Sequence, residues 1–186
     1  MINVIYCLAF EHDIRLVMLA AFICIAGSLT YVQLLRQCLN STGLVRVSWM
    51  GISAAALCTT VWCTHFISML SFQAHVPVVL DPVLTLVSLI APMFGFFMAT
   101  GLVIYGRTPL TVITGNLTLG CSMAALHYVG MLAYRVDGIV EWDMSYVAAS
   151  VILSCLFTAA SGWAFNRFSN LRFNLPSVAL YALGVI

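Results

Sequence analysis

Two stretches carry residue types that could do chemistry inside an apolar environment. Trp62-Cys63-Thr64-His65-Phe66-Ile67-Ser68-Met69 and Leu126-His127-Tyr128-Val129-Gly130-Met131 each set a His before an aromatic residue, with Met four positions after the His. On a helix, residues four apart stack on one face, so each imidazole and its thioether can converge on one point. Imidazole with thioether is a soft to borderline donor set. It suits copper, Cu(I) above all, rather than magnesium, calcium or manganese, which take oxygen. His65, Met69, His127 and Met131 are therefore the candidate metal ligands. A copper ion held by two or three equivalent helices would keep a position open for a diatomic molecule such as dioxygen, nitric oxide or carbon monoxide.

The two stretches are copies, 62 residues apart, and the copy extends without gaps through Leu70/Leu132, Phe72/Tyr134, Asp81/Asp143 and Ser88/Ser150. Fixed-period self-similarity marks a repeat architecture. Met alone is a common gap filler and a single intramembrane His can be a neutral packing residue. Ionisable groups within membrane spans are rare and costly, however, so two at one repeat position favour function.

The elements that position these residues follow from composition. Of 186 residues, 63% are hydrophobic and 7% are charged, with no Lys and seven Arg. Soluble domains run at roughly 45–50% apolar and 25% charged, so the chain is an integral membrane protein, and without a basic run it is no nucleic-acid binder. Apolar spans fall at about 14–35, 47–71, 83–105, 110–134 and 144–165, each long enough to cross ~30 Å of hydrocarbon. A sixth starts near Pro176 and reaches about half that length by Ile186. Only helices satisfy the backbone in lipid over such unpatterned stretches. The fold class is all-α: a polytopic membrane helix bundle of repeated hairpins, with five complete transmembrane helices and a truncated sixth.

Charges orient it. Arg36, Arg46, Arg107, Arg167 and Arg172 fall on one side, without an acid. Glu11, Asp13, Asp81, Asp137, Glu141 and Asp143 fall on the other, with Arg15 and Arg135. The positive-inside rule puts the Arg loops in the cytoplasm and the N-terminus outside. Asp13, Asp81 and Asp143 each precede an inward-running helix, where an acid caps free N–H groups. Gly27 and Gly95 each follow their Asp by 14 residues. The unit reads as Asp, helix in, basic loop, helix out, ending in His-x-x-x-Met. The spacing from Asp81 to His127, carried on from Asp143, passes Ile186 by three residues, so a third His/Met pair is expected just beyond it.

Trp62, Phe66 and Tyr128 suit an aromatic belt, and Ser68 and Gly130 would let helices approach closely. The cysteines within the spans read as small buried hydrophobes, with no disulfide framework. His12 reads as a solvated loop residue with a lid or ligand role as the lesser alternative, and His75 lacks a His at its repeat position. Arg135 with Asp137, Glu141 and Asp143 reads as a solvated surface cluster.

At these residues the chain resembles the MHYT domain, a bacterial integral-membrane sensor module. The likeness spans His12-Asp13-x-Arg15-Leu16-Val17 and both His/Met stretches, hence essentially residues 1–186. Thr64 and Leu126 stand where the family has Met before the His, and Ser68 stands for its Gly in the first copy. The resemblance implies three helical hairpins and a copper site sensing oxygen, carbon monoxide or nitric oxide. It also implies a cytoplasmic GGDEF or EAL output domain that turns over cyclic di-GMP, outside these residues, in a bacterial inner membrane. It carries the ligand role to His65, Met69, His127 and Met131 alone.

The resulting expectation is a multi-pass sensor module without catalytic residues, partnered by the lipid bilayer, a gas ligand and an output domain; a homodimer is left open. The rivals are a haem-binding electron carrier with His65 and His127 as axial ligands, a purely structural anchor, and a metal transporter. The last is disfavoured because no polar pathway is legible through the inner half of the spans.

Overall fold

The structure is a computed structural model that describes residues 12–72, 78–106, 108–136, 142–168 and 173–185. Glu11, His75, Arg107, Asp137, Glu141 and Arg172 lie outside the described residues. Among the described residues six helices follow in order: α1 (Ile14–Asn40), α2 (Gly43–Ser71), α3 (Pro82–Tyr105), α4 (Pro109–Ala133), α5 (Met144–Arg167) and α6 (Leu175–Val185). The first five are 24 to 29 residues long and apolar enough to cross a membrane, whereas α6 has 11 residues. This is a multi-pass helical bundle. Consecutive helices pair as hairpins α1–α2, α3–α4 and α5–α6, and α6 packs back onto α1, closing a ring. At the closure, the Cys24 thiol donates to Ala182 O at 3.5 Å and Tyr31 meets Tyr181 edge-on.

Each hairpin starts as the sequence predicts. The Asp13 carboxylate accepts from the Arg15 N–H at 2.9 Å, that of Asp81 from Val83 and Leu84 at 3.0 and 3.1 Å, and that of Asp143 from Ser145 at 2.9 Å. The backbone repeats too: Asp13 N–H donates to Ser71 O at 2.8 Å and Asp81 N–H to Ala133 O at 2.9 Å. At the opposite end, α1 and α2 are joined through Ser41 and Thr42, and Gly43 adopts a left-handed φ of 59° there. The Arg46 guanidinium closes that turn by donating to Cys38 O at 3.1 Å and Ser41 O at 2.6 Å, a cation on orphan helix-end carbonyls.

The Leu84 backbone N–H, with help from the Arg135 guanidinium, holds the Asp81 carboxyl below its usual range. The Ser145 hydroxyl and N–H do the same for Asp143. A carboxyl depressed in the folded state adds stability that is present above its unfolded pKa and lost as pH falls through its folded one. Thermal stability in detergent is therefore expected to hold from neutrality to about pH 4 and to fall below it. A D81N/D143N variant should fall less steeply, and parallel curves would remove these caps as the cause.

Between hairpins, Val78–Leu80 (β1) and Tyr134–Val136 (β2) pair antiparallel, with Leu80 opposite Tyr134. This two-stranded ribbon was not legible in the sequence, because three-residue strands outside the spans carry no periodicity. It brings Arg135 to within 2.7 Å of Asp81. Arg135 is solvated, as expected, with its side chain 63% exposed, and among the described residues its ion-pair partner is Asp81, at the start of the α3–α4 hairpin; Asp137 and Glu141 of the expected cluster lie outside the described residues.

Residues four apart on the second helix of each hairpin form the axial stripe of the bundle. Leu57, Val61, His65 and Met69 on α2 match Leu119, Met123, His127 and Met131 on α4, and Tyr181 and Val185 continue the pattern on α6. Leu57, Leu119 and Tyr181 are wholly buried. The helices of a hairpin touch closely where a Cβ placed on Gly27 would lie 2.1 Å from Thr60 Oγ1, and one on Gly95 2.2 Å from Ser122 Oγ. Thr60 and Ser122 are repeat equivalents. In the third hairpin the small residue changes sides, and Gly184 faces Phe157.

Nearer the Arg46 end, the core is polar. Tyr181 OH donates to Asn116 Oδ1 at 3.2 Å, Tyr31 and Thr100 hydroxyls lie 3.5 Å apart, and those of Ser161 and Ser177 3.0 Å apart. This polar layer is closed on itself and adds no pathway to the inner half of the spans. Asn116 and Tyr181 have no polar counterparts in the other repeats (Ala54 and Val178 for Asn116, Leu57 and Leu119 for Tyr181), so the repeat gave no hint of their bond. They satisfy one another, as buried polar groups must.

Candidate metal centre

The stripe brings the two repeat histidines face to face. His65 Nδ1 and His127 Nδ1 lie 3.2 Å apart, with ring centroids at 4.8 Å and planes at 70°. His65 is 8% exposed, and its ring rests on α4 where a Cβ on Gly130 would lie 2.4 Å from Nε2. Gly130 thus allows the approach that the sequence assigned to it. Ser68, by contrast, faces open space and lines a cavity instead.

Beyond the pair, toward β1 and β2, lies a cavity of about 340 Å³ lined by His12, His65, Ser68, Met69, Phe72, His127, Met131 and Tyr134. All four sequence-predicted ligands therefore border one space. A second cavity of about 300 Å³ is bounded by Val61, Met123, Tyr128, Phe157 and the end of α6. The two cavities share His65, Ser68 and His127 in their linings.

The spacing of the two imidazoles fits either a single bound metal ion or a direct hydrogen bond. Two nitrogens bound to one tetrahedral metal at ~2.0–2.1 Å stand about 3.3 Å apart, close to the observed Nδ1 separation of 3.2 Å. Without metal, one ring must carry its hydrogen on Nδ1 and the other must accept it. His65 Nε2 and Thr64 Oγ1 are buried without a hydrogen-bond partner among the described residues. No three His, Cys, Asp or Glu side chains among the described residues converge on a point; the thioethers of Met69 and Met131 are the other soft donors lining the cavity. The lining of the end cavity holds no carboxylate. The donor set is neutral; His65 is buried, whereas His127 is exposed and Met69 and Met131 are half-buried. The rings, in direct contact, leave no gap for a macrocycle, which disfavours bis-axial haem.

Of the aromatic residues beside the histidines, one is buried and two are half-buried with their polar tips bonded inside the protein. Phe66 is buried, Trp62 Nε1 donates to Thr85 O and Ser88 Oγ at 3.2 Å, and the Tyr128 hydroxyl pairs with Ser150 Oγ. Ser88 and Ser150 are repeat equivalents, although their aromatic partners are not (Trp62 aligns with Ala124 and Tyr128 with Phe66), so a hydrogen bond to an aromatic tip joins α2 to α3 and α4 to α5. The polar tips turned inward because partners exist there, and a desolvated N–H or O–H without one is costly.

Sequence reasoning undervalued His12. It forms a β-bridge with Phe72, stacks on that ring at 5.3 Å between centroids, and lines the cavity. The missed signal was register: the residues before the other two capping Asp are Leu80 and Trp142.

A family profile described as "Bacterial signalling protein N terminal repeat", MHYT, matches residues 59–115 and 120–180. A protein of Caulobacter vibrioides described as an uncharacterized signaling protein is 33% identical over 149 residues, 79% of this chain and 18% of the relative. The bifunctional diguanylate cyclase/cyclic di-GMP phosphodiesterase MucR of Pseudomonas aeruginosa is 28% identical, over 80% of this chain and 22% of its own length. The cyclic di-GMP phosphodiesterase NbdA of the same organism is 29% identical, over 77% and 18%. The chain thus spans about a fifth of the length of these relatives. No solved structure matches.

Proposed function

The chain belongs to the MHYT family of bacterial signalling proteins, and on that footing we propose that it is a membrane sensor holding copper at His65, His127, Met69 and Met131. The observation that carries this reading is the 3.2 Å contact between two imidazoles from equivalent repeat positions, beside a cavity lined by the two equivalent thioethers. In this reading residues 1–186 are a sensor domain of a bacterial inner membrane, without catalysis of its own. The ribbon end of the bundle faces outward, with the arginine end in the cytoplasm.

Copper would supply a Lewis-acidic centre with a position for dioxygen, nitric oxide or carbon monoxide. The chain's own residues do the rest. His65 and His127 turn their Nδ1 atoms toward one point, Gly130 lets the His65 ring seat, and Met69 and Met131 offer soft neutral donors on one side. A signal needs two packings with different affinity for the ligand. The hydrogen bonds of Trp62 and Tyr128 tie the His helices to α3 and α5, so movement of either ring bears on a hairpin interface. The output would be a cytoplasmic domain of cyclic di-GMP turnover, supported by the names of MucR and NbdA.

Metal analysis by mass spectrometry on the full-length protein, loaded with Cu(I) under reducing conditions in detergent, tests this. Stoichiometric copper in the native protein, absent from H65A/H127A, is the expected result. Copper absent from both would leave the imidazoles as a hydrogen-bonded packing pair.

A further inference from the structure

We propose that Cys121 and Cys155 are a dithiol modification site in the middle of the membrane, which a lipid-soluble quinone oxidises to a disulfide that ties α4 to α5. This site is separate from the copper centre and goes beyond it. The two sulfurs lie 3.8 Å apart across the α4–α5 interface. The helix backbones touch at this point, since a Cβ placed on Gly120 would lie 2.8 Å from Cys155 Cα and 3.0 Å from its nitrogen. A disulfide bond is about 2 Å long, so the sulfurs must close by about as much again. Rotation about the side-chain bonds of two cysteines covers that without moving either helix.

Sulfur-to-sulfur pairing sets these two thiols apart. Cys24 and Cys58 donate to the carbonyl oxygens of Ala182 and Leu89, and Cys38 lies beside the Ser53 hydroxyl. Cys155 also reaches Leu117 O at 3.9 Å, which keeps its sulfur on the α4 side. The repeat does not require thiols here. The same two positions of the α2–α3 interface hold Thr59 and Met93, and Thr59 bonds Ala55 O and Ala56 O on its own helix.

Place decides the oxidant. Cys121 is the central residue of Pro109–Ala133 and Cys155 lies at the middle of Met144–Arg167. Cys121 is exposed there and Cys155 half-buried, so the pair borders hydrocarbon. An oxidant must arrive through lipid, and it must take protons together with electrons, because a bare thiolate is costly in that medium. A quinone meets both demands. The two S–H bonds break and one S–S bond forms. The electron pair and both protons pass to the quinone, whose carbonyl oxygens become the hydroxyls of a hydroquinone, and no charge is left in the membrane. The product clamps the helix that carries His127 to α5, about two turns from the hydrogen bond of Tyr128 with Ser150.

Full-length protein, reduced and reconstituted in phosphatidylcholine vesicles, is given an alkyl benzoquinone anaerobically, one with no free ring carbon to which a thiol could add. Remaining thiols are then blocked and the peptides read by mass spectrometry. The expected product is a Cys121–Cys155 cross-linked peptide, two hydrogens lighter than its reduced halves, formed with hydroquinone and reversed by dithiothreitol. Cys121→Ala and Cys155→Ala should each lose the cross-link and the hydroquinone that accompanies it. A native protein without the cross-link would overturn the proposal. So would a cross-link between light and heavy chains in an isotope mixture, which would make the bond intermolecular. Equal oxidation by ferricyanide held outside the vesicles would overturn it too, by placing the pair in contact with water. The native protein decides the matter even where an alanine variant is unstable. Copper enters no step, so failure here and failure of the copper reading are distinct results.

Discussion

Replacing Gly130 with alanine is expected to dismantle the His65–His127 pair without touching either ring's chemistry. The new Cβ would fall 2.4 Å from His65 Nε2 and 2.6 Å from Cδ2, far inside contact distance. The ring cannot stay. Its own helix is held by Trp62, whose indole is bonded to Thr85 and Ser88, so α2 resists moving as a body and the His65 side chain must rotate away. The 3.2 Å Nδ1 contact is then lost. Copper affinity should drop by about 10- to 100-fold, the scale on which misoriented ligands fail. Overpacking of this kind costs stability by about 1–3 kcal/mol. Competition against a Cu(I) chelator gives the first quantity and thermal unfolding in detergent the second. A G130A protein with native affinity would mean that the seat on α4 does not orient His65.

The second large effect is expected at Gly27. A Cβ there meets Thr60 at Oγ1, Cγ2 and Cβ, at 2.1, 2.2 and 2.6 Å. The hydroxyl is already committed to Ala56 O at 2.7 Å, and no rotamer moves the threonine Cβ. The helices of the first hairpin must separate, which should cost Gly27→Ala about 3 kcal/mol or more, at or beyond the upper end of overpacking penalties. Thr60→Gly in the same chain should restore most of it, less the ~1 kcal/mol of a glycine in a helix interior. The third hairpin already has this arrangement, with Gly184 on the second helix facing Phe157 on the first. A double-mutant cycle on unfolding reads the coupling, expected at about 0.5–3 kcal/mol. Additive effects would show that the contact does not set the hairpin's separation.

Much of this protein is determined along the chain alone. Span lengths, capping Asp residues and the repeat of 62 residues rest on local physics: hydrocarbon thickness, free N–H groups at a helix start, and four-residue stacking on one face. Those rules hold before any tertiary contact forms, so α1 to α6 start within a few residues of their predicted positions and His65, Met69, His127 and Met131 share a cavity. Three other matters were decided only by the assembled bundle. The indole of Trp62 and phenol of Tyr128 face lipid or protein according to whether a partner lies across the interface, and Ser88 and Ser150 are such partners. The polar core of Tyr31, Thr100, Asn116 and Tyr181 depends on which hairpins meet, because its members lie at unequal repeat positions. His12 looked solvated until the bridge to Phe72 turned it toward the cavity. Periodicity reports what one helix must do for itself. Where a polar group finds its partner is a property of distance in space, and only the packed structure sets that.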